Sequence, residues 1–334
     1  MSLPLGILDQ APIPEGSTAG DALRNTLDLA RMADNLGYTR FWLAEHHGAA
    51  SLACASPEVM IGPVAAATSR MRIGSGGVML PHYSPLKVAE SFSMLEGLFP
   101  GRIDLGVGRA AGTSGRIAHS LQRDRRYAPP DDFEEQLDEL CGLLEGHSGG
   151  PATGGPVAGS TPFALPSIWL LGSSEQSAIW AAERGLPYAF ADFINPEGAE
   201  YARWYRRNFV SRRGSEPRVI VAVSAICAET DEEAMRLSLS QRMSLLMLFR
   251  GRTIPIPPVA RAAEFLKSEG MPAELLPVGR RLITGSPEIV RTRIEGVARD
   301  YAADEVLVVT NTFDHQARRR SFELIAATLG SGGR

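Results

Sequence analysis

The chain has 334 residues, of which 44% are hydrophobic and 22% charged, and this is the composition of an ordinary globular protein. Its formal net charge of -4 disfavours a nucleic-acid partner held through phosphates, and no apolar run is long enough to suggest a membrane partner. The first residues lack the basic and apolar regions of a signal peptide, and three isolated cysteines match neither a disulfide framework nor a zinc site. We therefore expect a cytoplasmic protein with reduced thiols.

Predicted strands and helices alternate along the whole chain. The strands are expected at residues 3–8, 41–47, 71–80, 102–106, 168–171, 188–191, 218–225 and 305–309. The helices are expected at residues 18–37, 57–69, 85–99, 131–144, 175–184, 196–209, 231–239, 287–300 and 315–329. Such alternation implies parallel strands joined by right-handed crossovers. It predicts a (β/α)8 TIM barrel, with an open doubly wound sheet as the alternative.

Two segments interrupt this alternation, and we treat them as insertions in one domain that spans residues 1–334. The first, at about 111–166, is rich in Gly, Pro and Ser, and the second, at about 241–282, carries a proline cluster at 254–258. Long insertions in compact domains are usually lids, binding loops or linkers. We favour lids over the barrel mouth, although the first segment suits a passive loop or a subunit contact equally well.

Three adjacent ionisable residues, Glu45, His46 and His47, follow the apolar run Phe-Trp-Leu-Ala at positions 41–44. Catalytic groups of a (β/α)8 barrel lie at the carboxyl ends of its strands. His46 shares its strand face with Trp42 and Ala44, so it is the histidine expected to point inward. An imidazole suits proton transfer near neutral pH, whereas a metal site lacks an evident third ligand. A structural role remains open for both histidines.

Two glycine-rich segments lie at predicted strand ends. Gly74-Ser-Gly-Gly77 suits the close approach of a flat ligand to the backbone, although tight packing in the barrel would also explain it. In the second segment, residues 105–112, Arg109 projects from a strand end and suits phosphate or another anion. A surface ion pair is the alternative for Arg109. The glycine spacing does not match a dinucleotide-binding fingerprint.

The turn Gly-Ser-Ser-Glu-Gln-Ser at residues 172–177 opens onto a predicted helix. Its free amides and hydroxyls, together with the positive end of the helix dipole, favour an anion. Simple N-capping by Ser173 or Ser174 would explain one serine but not three. The sequence therefore predicts a phosphate site here.

Four segments taken together resemble the bacterial luciferase-like family of flavin-dependent monooxygenases and related oxidoreductases. They are Phe-Trp-Leu-Ala-Glu-His-His (41–47), Gly-Ser-Gly-Gly-Val-Met-Leu-Pro (74–81), Gly-Arg-Ile-Asp-Leu-Gly-Val-Gly-Arg (101–109) and Leu-Gly-Ser-Ser-Glu-Gln-Ser (171–177). The resemblance runs in order from residue 3 to about residue 325, and the two insertions match poorly. It implies a barrel that binds FMN at its carboxyl-terminal mouth.

The resemblance also implies roles for individual residues. His46 matches the family's active-site histidine, Gly76-Gly77 matches a non-prolyl cis peptide under the flavin ring, and Gln10 is a candidate ring contact. Arg109 matches the phosphate-side arginine, and the phosphate-binding turn would comprise Ser173, Ser174 and Ser177. Gly108 stands where the light-emitting subunit has a reactive cysteine, which puts bioluminescence in doubt.

The implied activity is that of a monooxygenase that uses reduced FMN and O2 to oxidise a small organic substrate. Because no nicotinamide fingerprint is visible, a separate flavin reductase would supply the reduced FMN. The resemblance suggests a homodimer, for which the helices at 57–69 and 85–99 offer apolar faces, and packing of these faces against the barrel is the equal alternative. The alternatives are a deazaflavin-dependent dehydrogenase, a non-catalytic flavin-binding protein and a flavin-free barrel that hydrolyses phosphorylated sugars.

Overall fold

The structure is a computed structural model that describes residues 3–109, 115–122, 124–126, 131–146, 165–212, 214–270 and 279–330. Its strands are β1 (Leu5–Asp9), β2 (Arg40–Leu43), β3 (Arg72–Ser75), β4 (Val78–Met79), β5 (Ile103–Gly108), β6 (Ser167–Gly172), β7 (Tyr188–Ala191), β8 (Val219–Cys227), β9 (Ile283–Gly285) and β10 (Glu305–Val309). Its helices are α1 (Ala19–Leu36), α2 (Pro57–Ala66), α3 (Pro85–Leu98), α4 (Gly115–Leu121), α5 (Phe133–Gly146), α6 (Glu175–Arg184), α7 (Ala199–Asn208), α8 (Asp231–Phe249), α9 (Val259–Ser268), α10 (Pro287–Asp300) and α11 (His315–Leu329).

Eight parallel strands close into a barrel. Their order is β1, β2, β3, β5, β6, β7, β8 and β10, and the barrel closes because β10 pairs with both β8 and β1. The short strand β4 pairs with β5, and β9 pairs with the last residues of β8. The predicted (β/α)8 barrel is therefore confirmed, and the open doubly wound sheet is excluded.

The barrel interior is apolar in its middle, and ion pairs close it at the amino-terminal ends of the strands. Arg40 lies between the carboxylates of Asp104 and Glu305, and the Trp42 indole donates to Asp104 at 3.0 Å. The apolar residues inside the barrel are Leu8, Trp42, Ala44, Trp169, Ala189, Ile220, Ala222, Leu307 and Val309. Because charged groups and large rings fill the amino-terminal end of the barrel, open space is left at the carboxyl ends of the strands.

Two predicted strands end earlier than expected. The strand at 41–47 ends at Leu43. The Ala44 amide still donates to Asp9, the last residue of β1, but the His46 amide donates to Cys54 in the following loop, each at 2.9 Å. The strand at 71–80 is divided into β3 and β4 by Gly76 and Gly77.

The described parts of the two insertions contain more helix than the sequence predicted. The expected helix at 131–144 is α5, whereas α4 was not predicted. In the second insertion α8 continues to Phe249, ten residues beyond the expected end, and α9 follows. Methionines of α8 pack against α9 in a small separate core, which explains the continuation. The remainder of each insertion, at 111–114, 123, 127–130, 147–164 and 271–278, lies outside the described residues.

The second insertion is attached to the carboxyl-terminal end of the barrel at two places. Gln241 on α8 donates to the inward-facing Ser224 of β8 at 2.9 Å. Glu15, in the loop after β1, donates its amide to Ile256 at 2.8 Å. This part of the insertion is therefore attached to two sides of the mouth. Among the helices of the described ranges, none is long and apolar enough to cross a membrane.

Candidate active site

One cavity of about 390 Å³ opens at the carboxyl ends of the barrel strands. This volume lies within the range of small-molecule and cofactor sites. All eight residues predicted for the site line this cavity, and they are Gln10, His46, Gly76, Gly77, Arg109, Ser173, Ser174 and Ser177. The fold therefore brings together candidates that are up to 167 positions apart in the chain.

His46 lies just beyond β2 and faces the cavity with Trp42 and Ala44, as its position in the strand pattern predicted. Its Nδ1 is buried and has no hydrogen-bond partner in the described part of the chain. Burial, and to a smaller degree the neighbouring His47, lowers the pKa of His46 to about 4. The imidazole is therefore neutral at pH 7 and has one nitrogen that can accept a proton.

The lowered pKa of His46 predicts a pH-dependent loss of stability. An unfolded histidine has a pKa of about 6.5, so between pH 6.5 and pH 4 the unfolded chain binds a proton that the folded chain does not. We expect acidification from pH 7 to pH 5 to reduce the free energy of unfolding by about 2 kcal/mol more in the wild type than in His46→Gln. Urea unfolding of the flavin-free protein at both pH values measures this, and equal losses would contradict the assignment.

Glu45 is a fully buried carboxylate beside His46, and the sequence pattern indicated no specific role for it. Its Oε1 accepts hydrogen bonds from His47 Nε2 at 2.6 Å and from the Tyr83 hydroxyl at 2.9 Å. Its Oε2 accepts from the amide of Met79 at 3.0 Å. Burial and the nearby Glu45 charge raise the pKa of Tyr83, which keeps this hydroxyl a donor. Glu45 thus joins the His46 loop to the strand that follows Gly76 and Gly77.

Replacing Glu45 by glutamine is expected to lower the free energy of unfolding by about 2 kcal/mol, because one of three donors would then face the amide NH2 group. Urea unfolding followed by tryptophan fluorescence measures the change. The exposed Glu139 of α5 provides a matched control, and Glu139→Gln should stay within about 0.5 kcal/mol of the wild type. Equal stabilities of the two variants would show that the Glu45 contacts contribute little.

Gly76 and Gly77 form one wall of the cavity, and the peptide bond between them is cis, as the family resemblance implied. Packing leaves no free space for a side chain at Gly77, whose nearest neighbour is backbone, whereas at Gly76 the Leu8 side chain would have to move. A Cβ on Gly76 would lie 2.5 Å from Leu8 Cδ1, and a Cβ on Gly77 would lie 2.8 Å from the carbonyl oxygen of Gly106. Tight barrel packing and a wall without side chains are therefore both present at this site.

The serine-rich turn before α6 also lines the cavity. Ser174 is the N-cap residue, but its side chain makes no capping hydrogen bond, so the N-capping alternative is not supported. The hydroxyl of Ser177 donates to the carbonyl of Ser174 at 2.7 Å and lies 2.9 Å from the hydroxyl of Tyr188. Ser177 therefore holds the turn together, while Ser173 and Ser174 keep side chains that can bind an anion.

Arg109 lies next to this turn. Its guanidinium group is 5.3 Å from the centre of the Trp180 ring, which packs against Phe133 at 5.1 Å. These three side chains also border a second recess of about 340 Å³, whose other lining residues are Asp131, Glu134, Glu135 and Asp138. Arg109 therefore borders both the recess lined by these carboxylates and the cavity lined by the serine turn.

Four residues that line the cavity or bond to its lining were not assigned roles from the sequence: Glu45, Tyr83, Trp180 and Asn311. Asn311 donates to the carboxamide of Gln10 at 2.6 Å. A signal was available for Asn311, since it follows β10 at a strand end, where catalytic groups of barrels are found. None was available for Trp180, which reads as an ordinary apolar residue of a helix. In the described part of the chain, no group of three or more His, Cys, Asp or Glu residues is arranged to hold a metal ion.

The fold is that of luciferase-like enzymes. The family model described as luciferase-like monooxygenase matches residues 3–304. A luciferase-like monooxygenase of Escherichia coli (strain K12) is 40% identical over 328 residues, which cover 97% of this chain and 96% of that protein. The N-acetyl-S-alkylcysteine monooxygenase of Bacillus subtilis (strain 168) is 36% identical over 329 residues, which cover 96% of this chain and 97% of that protein. The chain belongs to the luciferase-like monooxygenase family.

Solved structures agree with this membership. The crystal structure of apo-MsnO8 superposes with a TM-score of 0.89 at 39% identity and covers 99% of this chain and 100% of that one. The oxygenating constituent of 3,6-diketocamphane monooxygenase from Pseudomonas putida, a type II Baeyer-Villiger enzyme in complex with FMN, has a TM-score of 0.76. That protein is 19% identical, and the superposed region covers 99% of each chain, so it shows a shared fold alone.

Proposed function

We propose that this chain is an FMN-dependent monooxygenase that uses reduced FMN and O2 to oxidise a small organic substrate. Membership of the luciferase-like family supports the class of reaction. The observation that carries the proposal is one cavity that is lined by the serine turn, the Gly76–Gly77 wall and a histidine whose pKa is lowered by burial.

The residues of the cavity fit FMN. The uncapped amino end of α6, with Ser173, Ser174 and Arg109, would hold the phosphate. The wall formed by Gly76 and Gly77 leaves room for a flat ring. When bound, reduced FMN would supply the electrons that activate O2, and this chemistry belongs to the cofactor.

The protein would contribute orientation, exclusion of water and proton transfer. The apolar side chains of Leu307, Phe190, Phe193 and Ile194 line the cavity and keep water from the reacting groups. The neutral imidazole of His46 would accept or return a proton at its unprotonated nitrogen. Reduced FMN would come from a separate flavin reductase, which is consistent with the lack of a dinucleotide fingerprint in the sequence.

Isotope incorporation tests the proposal. The purified protein would first be titrated anaerobically with reduced FMN, and then mixed with oxygen-18 gas and a panel of thioethers and ketones. A monooxygenase should bind reduced FMN and place one labelled oxygen atom in a product. Tight FMN binding with no labelled product would favour a dehydrogenase or a flavin carrier. A protein that binds neither FMN nor a 5-deazaflavin would contradict the proposal and favour the phosphosugar hydrolase.

We also propose that the protein is a homodimer joined through α2 and α3. Val59 on α2 is 66% exposed, and Met94 and Leu98 on α3 are 64% and 69% exposed. Three large apolar side chains on two adjacent helices are typical of an interaction surface.

Replacing Leu98 by glutamate is expected to convert the dimer to a monomer, because a charge in the centre of an apolar interface is left unpaired. Light scattering coupled to gel filtration measures the mass of each form. The control is Val210→Glu, since Val210 is 50% exposed and lies after α7. A monomeric wild type, or a Leu98→Glu variant that remains dimeric, would contradict this interface.

A further inference from the structure

We infer that Asn311 is a positioning residue that turns the carboxamide of Gln10, so that the Gln10 NH2 group faces the cavity as a fixed hydrogen-bond donor to the cofactor ring. This assignment rests on the proposed function, because it concerns the ring of the proposed flavin.

Gln10 and Asn311 stand side by side at the barrel mouth. In the pairing of β1 with β10, Ile7 lies opposite Val308, so that Gln10 and Asn311 occupy matching positions just above the two strands. The Asn311 Nδ2 atom donates to Gln10 Oε1 at 2.6 Å. Asn311 is only 7% exposed, which means that solvent does not compete for this bond.

A second set of contacts holds the two strand ends together from outside the barrel. The guanidinium group of Arg318 donates to Asp9 Oδ1 at 2.7 Å and to the carbonyl oxygen of Thr310 at 2.8 Å. Asp9 Oδ1 also accepts from the amide of Ala11 at 2.7 Å. The residues that flank Gln10 are therefore fixed, as is the residue that precedes Asn311. The pair is held in place before any ligand binds.

The Asn311 bond decides which end of the Gln10 side chain is available. The carboxamide oxygen is occupied by Asn311, whereas the Gln10 Nε2 group has no partner among the described residues. Gln10 lines the cavity, and Asn311 does not. The free NH2 group of Gln10 is thus the donor that this side of the cavity offers to a ligand.

A fixed donor at this place suits the polar pyrimidine edge of a flavin, which carries carbonyl oxygens and a ring nitrogen that accept hydrogen bonds. Reduction of the ring increases the negative charge at this edge. A donor that is already oriented therefore stabilises the reduced ring more than the oxidised ring. The Gln10–Asn311 pair would favour the redox form in which the proposed enzyme receives its cofactor.

Replacing Asn311 by aspartate tests this role at almost constant side-chain size. At pH 8 an ionised carboxylate accepts hydrogen bonds but donates none, so it would attract the NH2 group of Gln10 and turn the carboxamide oxygen toward the cavity. We expect the dissociation constant of reduced FMN to rise by about tenfold or more, and that of oxidised FMN to rise less. Both constants can be measured by anaerobic and aerobic titration of flavin fluorescence.

Three controls separate this role from a structural one. Gln10→Leu removes the donor and should weaken the binding of reduced FMN by itself. Asn311→Asp added to Gln10→Leu should then have a much smaller effect, limited to the repulsion between the new carboxylate and the reduced ring, because the Gln10 carboxamide that it would turn is gone. Asn311→Leu leaves the carboxamide of Gln10 free to rotate and should have a smaller effect than Asn311→Asp.

Other outcomes would overturn the assignment. The first is an Asn311→Asp variant that binds reduced FMN like the wild type. The second is a variant that weakens the binding of reduced and oxidised FMN equally. The third is an Asn311→Asp effect that is just as large in the Gln10→Leu background. If the wild type binds only a 5-deazaflavin, the same variants are titrated with it, since it has the same pyrimidine edge. A wild type that binds no flavin refutes the proposed function, and the inference with it.

Discussion

Replacing His46 by alanine is expected to slow substrate oxidation by about 100- to 10,000-fold, the usual contribution of a general acid or base. The dissociation constant of FMN should change by less than about threefold, because the proposed phosphate contacts follow β5 and β6, which are two and three strands away from β2 in the barrel. Oxygen uptake and product formation with excess reduced FMN measure the rate, and fluorescence titration measures the affinity.

A conservative variant makes the His46 experiment more specific. His46→Gln keeps a polar side chain of similar length but removes the group that titrates, so it should be nearly as slow as His46→Ala. Added imidazole should restore part of the rate in His46→Ala, where space has been created. A variant that loses FMN affinity but turns over normally at saturating FMN would contradict the assignment and make His46 a binding residue.

Replacing Arg109 by alanine is expected to raise the dissociation constant of FMN by about 10- to 100-fold, which corresponds to the loss of a charge-assisted hydrogen bond. Riboflavin has the same ring but no phosphate, so its affinity should change by less than about twofold. Comparison of the two ligands in one fluorescence titration therefore isolates the contribution of the phosphate.

Arg184 provides the matched control for Arg109. It lies at the other end of α6 and is bound to Asp138 at 2.7 Å. Arg184→Ala should leave the affinities for FMN and riboflavin unchanged. If Arg109→Ala weakens riboflavin as much as FMN, then Arg109 acts through Trp180 on the shape of the cavity. If neither ligand is affected, the phosphate binds elsewhere.

Local patterns were sufficient to predict most of the barrel. The bounds predicted for α6, α10, α11, β7 and β10 agree with the structure, because hydrophobic periodicity and flanking turn residues are properties of short segments. The continuation of α8 to Phe249 was missed, since its polar and apolar residues are explained only by contact with α9 and the barrel mouth. Propensity is a weak guide where tertiary packing decides where a helix ends.

The candidate site also contains residues that local sequence indicated and contacts that only the fold creates. Gly76, Gly77 and the serine turn could be found because each lies in a short segment with an unusual composition. His46 could be found because it follows an apolar strand. The contacts of Glu45 could not be predicted. Its partners Tyr83 and Met79 are more than 30 positions away, and only the folded backbone brings them within 3 Å.

The sequence by itself determined the alternation of strands and helices, the family, and the residues at the strand ends. Only the tertiary structure decided which atoms of those residues are free. Gln10 and Asn311 are 301 positions apart, and nothing near either one indicates that a hydrogen bond occupies the Gln10 oxygen. The physical reason is that the direction of a hydrogen bond and the burial of an imidazole depend on neighbours that the barrel brings together when it closes.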